Sequence, residues 1–285
     1  MWRFILWGWV LLLVSVSAYG KPFVFTAIPD QDESRLRERF GRVASYLSER
    51  LGVEVRYVPV KSYAASVTAF KNNEVQLAWF GGLSGVRARR AVSGSQAIAQ
   101  GHEDRSFVTY FIAHASTGIA ESATFPGDIA GRTFTFGSKG STSGRLMPEF
   151  FIRQHFGEPP EEVFSRVGFS GSHSRTIALV QSGAYQVGAL NFKVWETQLA
   201  EGRIDLGQVR VIWRTPAYPD YNWTVRAGVD AEWGAGFSAR VREALLDMND
   251  PALLRAFPRE RFVPADNGDY AQIERTAKSI GLIDP

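Results

Sequence analysis

The chain has 285 residues, 45% hydrophobic and 21% charged, the composition of a globular protein of one large or two medium domains with no low-complexity tract. Its 32 basic and 29 acidic residues leave a surplus of +3, too small and too dispersed to argue for nucleic acid. There is no cysteine, which excludes disulfides and attachment to a membrane through an acylated cysteine.

The first twenty residues differ from the rest. Met1-Trp2-Arg3 is a short basic start, Phe4 to Val16 is an uncharged apolar run, and Ala18 and Gly20 supply small residues before Lys21. This is the design of a secretory signal peptide over residues 1–20, with cleavage after Ala18 or Gly20. The run is short of the roughly 20 apolar residues that a membrane span requires. Removing it takes away one arginine and leaves 31 basic against 29 acidic residues, +2. The expected mature protein is free in the periplasm.

From Lys21 onward, strands and helices alternate. Phe23 to Ile28 is apolar, β-branched and aromatic between two prolines, and reads as a buried strand. Leu36, Phe40, Val43, Leu47 and Leu51 recur at helical spacing, and Gly52 closes that helix. Val53 to Val58 alternates as a strand, a helix starts near Ser62, and Val75 to Phe80 is a third strand. Another helix follows Gly81-Gly82, and Gln96 to Ala99 is a short strand. This rhythm implies a parallel sheet covered by helices. After the strand Phe107 to Ala113 it restarts, with strands at Arg132 to Phe136, Arg166 to Phe169, Val187 to Leu190 and Val209 to Trp213. Helices fall between them, and two more, near Phe237 to Met248 and Tyr270 to Ile280, close the chain without a sheet of their own.

The fold class is therefore α/β, in two lobes. The first lobe comprises residues 21–112 and 213–285, and the second, 113–212, is inserted into it. Two crossover strands, near Phe107–Ala113 and Val209–Trp213, join the lobes around a hinged cleft. Ligands of open α/β sheets sit beyond the carboxyl ends of the strands, which such a cleft brings face to face.

The strand ends carry the polar residues. Thr133 to Phe136 is followed by Gly137-Ser138-Lys139-Gly140-Ser141-Thr142-Ser143-Gly144, a glycine-punctuated turn with three consecutive hydroxyls and a helix start at about Gly144. Unpaired N–H groups and partial positive charge at a helix start suit a small tetrahedral oxyanion. The same residues equally suit a plain helix cap. A second hydroxyl-rich start is Ser170-Gly171-Ser172-His173-Ser174. Lys61-Ser62-Tyr63, Ala78-Trp79-Phe80-Gly81-Gly82 and the loop Pro216 to Trp223, which holds Asp220 and Tyr221, complete the set. Alone, Tyr63 and Trp79 also read as core aromatics, His173 as a cap, and Asp220 as a surface partner of Arg214 or Arg226.

Ala78-Trp79-Phe80-Gly81-Gly82, then Ser141-Thr142-Ser143-Gly144 with Pro148, then Gly171-Ser172-His173 resemble, in that order, the motifs of the PhnD-like family. These are periplasmic substrate-binding proteins of phosphonate and phosphite ABC transporters. The resemblance covers roughly residues 21 to 260 and implies a type II periplasmic-binding-protein fold. It implies that Ser141, Thr142 and Ser143 hold the anion oxygens, that Tyr63 and His173 add donors, and that Asp220 is the cleft aspartate. Trp79, Tyr110 and Tyr221 are further expected ligand-site residues. A membrane permease is the implied partner of a monomeric protein that needs no cofactor.

An acceptor-only carboxylate favours an oxyanion that still carries a proton, so Asp220 in the cleft selects phosphite, phosphonate or phosphate over sulfate and selenate. With Asp220 in solvent, selenate- or sulfate-like ligands return. A ligand sensor feeding a receptor kinase has the same cleft physics. Ser141, His173 and Asp220 also form a triad-compatible set, but Thr142 occupies the centre of the G-x-S-x-G pattern, which argues against a serine hydrolase. The histidines, His102, His114, His155 and His173, lack metal-ligand spacing.

Overall fold

The computed structural model describes residues 21–284; the expected signal peptide, residues 1–20, lies outside the described residues. The chain opens with strand β1 (Phe23–Ala27) and helix Glu33–Leu51. That helix buries Leu36, Phe40, Val43, Leu47 and Leu51, as their spacing requires, and ends at Gly52 (φ 69°), whose N–H returns to Ser48 O at 3.0 Å. Strand β2 (Val55–Tyr57), helix Tyr63–Lys71, strand β3 (Leu77–Phe80), helix Gly82–Ala91 and strand β4 (Gln96–Gly101) follow. The chain then crosses to strands β5 (Thr109–His114), β6 (Thr133–Phe136), β7 (Arg166–Phe169), β8 (Val187–Asn191) and β9 (Val209–Arg214). It returns through β10 (Asn222–Val225) and β11 (Phe262–Pro264) and ends on helix Ala271–Ser279.

Among the described residues the strands form two sheets, in the orders β11-β4-β10-β3-β1-β2 and β7-β6-β8-β5-β9. Both are mixed, which corrects the expectation of a parallel sheet. β1 is parallel to β2 and β3, but β10 returns from the second lobe and inserts antiparallel between β3 and β4. The last part of the chain therefore adds two strands to the first sheet. In the second sheet β6 is parallel to β7 and β8, while β5 runs antiparallel to both β8 and β9.

The lobes are joined by two antiparallel segments. Phe107 and Tyr218 exchange backbone hydrogen bonds of 2.8 and 3.0 Å, and Asp220 N–H donates to Asp104 O at 2.9 Å. The boundaries expected at 112/113 and 212/213 fall inside β5 and β9, which belong wholly to the second sheet; the crossing is made just outside both strands. A buried ion pair fixes it. Arg259 meets Asp104 with two hydrogen bonds of 2.7 Å, the side chains 4% and 0% exposed. Arg259→Ala leaves Asp104 charged and alone in the interior and is expected to destabilise the protein by about 3–5 kcal/mol, read by denaturant unfolding.

Candidate functional site

The hydroxyl stretch is built by a conflict between its glycines and its proline. Pro148 has no N–H to return to Gly144 O, four residues earlier, so that carbonyl is left free. It accepts instead from Gly137 N–H at 2.7 Å, tying the end of β6 to the helix start. A Cβ on Gly137 would stand 3.2 Å from Gly144 Cα, so backbone meets backbone there and only glycine fits closely. The first turn, Thr142–Leu146, is consequently wide, with Leu146 N–H reaching back to Ser141 O at 3.0 Å, before a regular helix runs over Met147–Phe156. The helical start is thus at Thr142, two residues before the expected one.

Ser141 is the cap: its Oγ accepts from Gly144 N–H at 2.9 Å. The capping reading is correct for this residue, and its O–H remains available as a donor. Thr142 Oγ1 accepts across the cleft from Leu83 N–H of the first lobe at 3.0 Å. Ser143 Oγ is buried without a hydrogen-bond partner among the described residues. Opposite, Tyr63 starts the helix capped by Ser62, and Gly140 packs so closely that a Cβ there would stand 2.8 Å from Tyr63 Cβ. The Tyr63 hydroxyl is likewise buried and without a partner. Burial, then the charges of Asp30 and Asp220, push its pKa well above the usual value, so it stays a donor.

Asp220 lies at the end of the second crossing segment and is 1% exposed, not at the surface. Its Oδ1 accepts from Gly82 N–H at 2.8 Å, while Oδ2 is buried and makes no hydrogen bond of good geometry among the described residues. Gly81 and Gly82 line this corner: a Cβ on Gly81 would lie 3.2 Å from Asp220 Oδ1 and 3.4 Å from Thr142 Oγ1. Burial raises the Asp220 carboxyl to about 7, against the opposing influence of Gly82 N–H and the Thr142 and Ser143 hydroxyls.

His173 stands beside these groups, its Cε1 3.1 Å from where a Cβ of Gly144 would be. Its backbone N–H bridges the lobes to Asp30 O at 2.9 Å. Its Nδ1 accepts from Asn191 N–H at 3.3 Å, which leaves the ring proton on Nε2, 3.5 Å from the Tyr221 hydroxyl. Burial pushes its pKa down to about 3, so it is a neutral donor and not the imidazolium that would give a stronger bond. Tyr221 donates to Asp30 Oδ2 at 2.8 Å and accepts from Asn191 Nδ2 at 3.0 Å. With both ring nitrogens engaged, His173 has no base to offer Ser141, and the triad reading fails on geometry.

Two expected residues stand apart. Trp79 stacks behind Tyr221 (5.5 Å between ring centroids) and meets Trp223, Phe257 and Phe262, so it belongs to the aromatic core that supports the site. Tyr110 points to the opposite face of β5, where its hydroxyl donates to Glu196 at 3.3 Å. The alternation of the strand gives the cleft side to its neighbour Thr109, which donates to Ser143 O at 2.9 Å. Tyr110→Phe is therefore expected to leave ligand affinity within about twofold by calorimetry, since only a half-exposed bond worth about 0.5–1.5 kcal/mol to local stability is lost.

Asp30 and Asn191 complete the site without having been expected. Asn191 ends β8 and Asp30 lies in the loop just beyond β1, where the strand-end rule could have found them. Thr109 carries no comparable signal.

Comparison with known proteins gives the family. The sequence profile of a family described as ABC transporter, phosphonate, periplasmic substrate-binding protein matches residues 25–270. The chain belongs to that family. Members of this phosphonate-binding family are substrate-binding components of transporters, not enzymes. A relative from Prochlorococcus marinus (strain MIT 9301), named a probable ABC transporter phosphite binding protein, PhnD1, is 38% identical over 90% of this chain and 89% of its own length. The solved structure of PhnD1 in complex with methylphosphonate superposes with a TM-score of 0.88 over 92% of this chain and 99% of that one. A phosphate-import protein PhnD from Mycolicibacterium smegmatis is 25% identical over 70% of this chain and 65% of its own length. The likeness to PhnD1 establishes a two-lobed type II periplasmic-binding-protein fold. No helix among the described residues is long and apolar enough to cross a membrane.

Proposed function

We propose that this family member captures a small phosphorus oxyanion that retains one proton, of the phosphite or alkylphosphonate type, and delivers it to a membrane permease. The observation that carries the reading is three of the buried polar atoms that lack hydrogen-bond partners among the described residues, the Tyr63 hydroxyl, Ser143 Oγ and Asp220 Oδ2. Two are donors and one is an acceptor. Buried polar atoms are rarely left unpaired, and each costs about 1–3 kcal/mol when it is. An oxyanion bearing an O–H satisfies all three at once: its oxygens accept from hydroxyls, and its proton goes to Asp220. Sulfate and selenate bring no proton for the carboxylate.

In this reading Ser141, Thr142 and Ser143 hold the anion from the second lobe, with the N–H groups of the helix start. Tyr63 reaches it from the first lobe, and Asp220 comes from the crossing segment. His173 directs its remaining N–H towards Tyr221 and acts by placing that hydroxyl. Because the donors belong to both lobes, only the closed arrangement satisfies the ligand, and this difference in affinity is what drives closure. The mature protein is a periplasmic monomer, exported by its residues 1–20, and its closed form is what the permease engages.

Calorimetry with phosphite, methylphosphonate, phosphate, sulfate and selenate tests the reading. Phosphite or methylphosphonate is expected to bind tightest and sulfate and selenate weakest. Tighter binding of selenate than of every phosphorus ligand would sink it.

A further inference from the structure

The buried face of helix Glu33–Leu51 includes one residue that a core does not call for. Arg39 sits among Leu36, Phe40 and Val43 and is 8% exposed. Its guanidinium lies over the rings of Phe40 and Phe257, with Cζ 5.8 and 5.7 Å from the ring centroids. Its Nε is buried and without a hydrogen-bond partner, and no ion pair or hydrogen bond engages Arg39 among the described residues. Asp30 lies near enough to act on it electrostatically, yet Asp30 Oδ2 is taken by the Tyr221 hydroxyl.

Arg39 lines a groove of about 540 Å³ that is walled by both lobes. Its other arginines are committed. Arg35 pairs with Glu201 through two hydrogen bonds, Arg42 with Glu38 at 2.9 Å, and Arg203 with Glu201 at 3.3 Å and Asp32 at 3.9 Å. Four arginines thus face three carboxylates along the groove, and Arg39 is the one without an ion pair among them; the carboxylate that acts on it is the buried Asp30, at the site and outside the groove lining. A guanidinium at the wall of a polar groove, with a donor still unpaired, matches an oxyanion, whose paired oxygens fit its N–H groups.

We propose that this groove is a second anion site, separate from the phosphorus site, in which Arg39 holds a small oxyanion of the sulfate or carboxylate type between the lobes. Glu201 and Arg203 belong to the second lobe and helix Glu33–Leu51 to the first, so the groove is complete only when the lobes meet. An anion bound there favours the closed form and tightens binding in the main cleft, and by reciprocity the main ligand tightens binding of the anion. The coupling, though not the site, rests on the ligand reading above.

Selenate is the probe, at pH 8, where on the ligand reading above it is a weak competitor in the main cleft. Crystals of the wild-type protein, with and without methylphosphonate, are soaked in selenate and the selenium located by anomalous scattering. A selenium peak against Arg39 is expected, and its absence in both crystals overturns the site. At constant ionic strength, saturating selenate is expected to raise methylphosphonate affinity by about fivefold or more in the wild type and to leave it unchanged in Arg39→Gln. An equal gain in the variant overturns the proposal. A peak with no gain in affinity overturns the coupling and leaves an adventitious ion only. Methylphosphonate that fails to bind without selenate refutes the ligand reading instead, and the crystals still decide the site, with no variant required to fold.

Discussion

Asp220→Asn is expected to abolish the discrimination between phosphorus oxyanions and sulfate, and to change how both depend on pH. On the proposed reading the wild-type complex holds one proton between Asp220 and the ligand. A phosphonate monoanion brings that proton, whereas sulfate obliges the protein to take it from solvent. With the Asp220 carboxyl raised to about 7 by burial, sulfate affinity falls by about tenfold per pH unit above that value and levels off below it. Phosphonate affinity follows a bell instead: its acid limb is the protonation of Asp220, and its alkaline limb the second ionisation of the ligand, in the neutral range. Asparagine presents an N–H donor or a carbonyl acceptor at the same place and titrates with neither. The variant is therefore expected to bind sulfate independently of pH and to lose the acid limb for methylphosphonate. Its methylphosphonate affinity should drop by about ten- to a hundredfold near pH 7, the loss of one charge-assisted bond of about 1.5–3 kcal/mol. Calorimetry from pH 5 to 9 reads all of this. Sulfate binding by the variant that still falls with pH would remove Asp220 from the selectivity argument.

The same substitution has a stability signature of known sign. The folded-state value of Asp220 lies above its ordinary value of 3.8, so between about pH 4 and 7 the ligand-free folded protein binds more of a proton than the unfolded chain. Its stability from this group declines as pH rises through that window, by a few kcal/mol at most, and is flat above it. Asp220→Asn lacks the decline, so relative to the wild type the ligand-free variant gains thermal stability from pH 4 to pH 8. A selectivity residue that strains the empty protein and relaxes with ligand is a common trade at binding sites.

Much of this site was legible in the sequence because it follows from strand ends. Ser141, Thr142, Ser143, Tyr63 and His173 each stand where a strand gives way to a helix, and composition alone marks those junctions. The misplaced residues were misread for reasons of orientation. Trp79 lies in a four-residue strand buried along its whole length, so alternation gave no clue that its ring belongs to the core behind Tyr221. Tyr110 and Thr109 are adjacent on β5, and which of them faces the cleft depends on the register with β8 and β9, fixed by partners far away in the chain, Asn191, Leu190 and Arg214. The insertion of β10 between β3 and β4 was hidden for a similar reason. Asn222–Val225 is short and follows a loop of prolines and tyrosines, and only partners from distant parts of the chain make it a strand. Arg39 was invisible because a helical pattern of apolar residues says nothing of a charged side chain placed among them.

The hydroxyl run itself supplies the other large effect. On the proposed reading, replacing Ser141 and Thr142 together by alanine removes two O–H donors from the anion, each worth about 1.5–3 kcal/mol against a charged group. The two losses act on one ligand and will not simply add. Even the lower sum, about 3 kcal/mol, is more than a hundredfold in affinity. The structure divides the loss. Ser141 caps the wide turn through Gly144 N–H, so Ser141→Ala also costs the ligand-free protein about 1 kcal/mol of stability. Thr142 receives Leu83 N–H from the opposite lobe, so Thr142→Ala leaves that donor unpaired only in the closed form and weakens closure as well as binding. Thr142→Ser keeps the hydroxyl and is expected to bind methylphosphonate within a few-fold of wild type, whereas the near-isosteric Thr142→Val behaves like alanine. If Thr142→Val binds as Thr142→Ser does, the hydroxyl is not on the ligand. A double alanine variant with wild-type affinity would place the anion elsewhere in the cleft, and the cap would then be the whole role of the run.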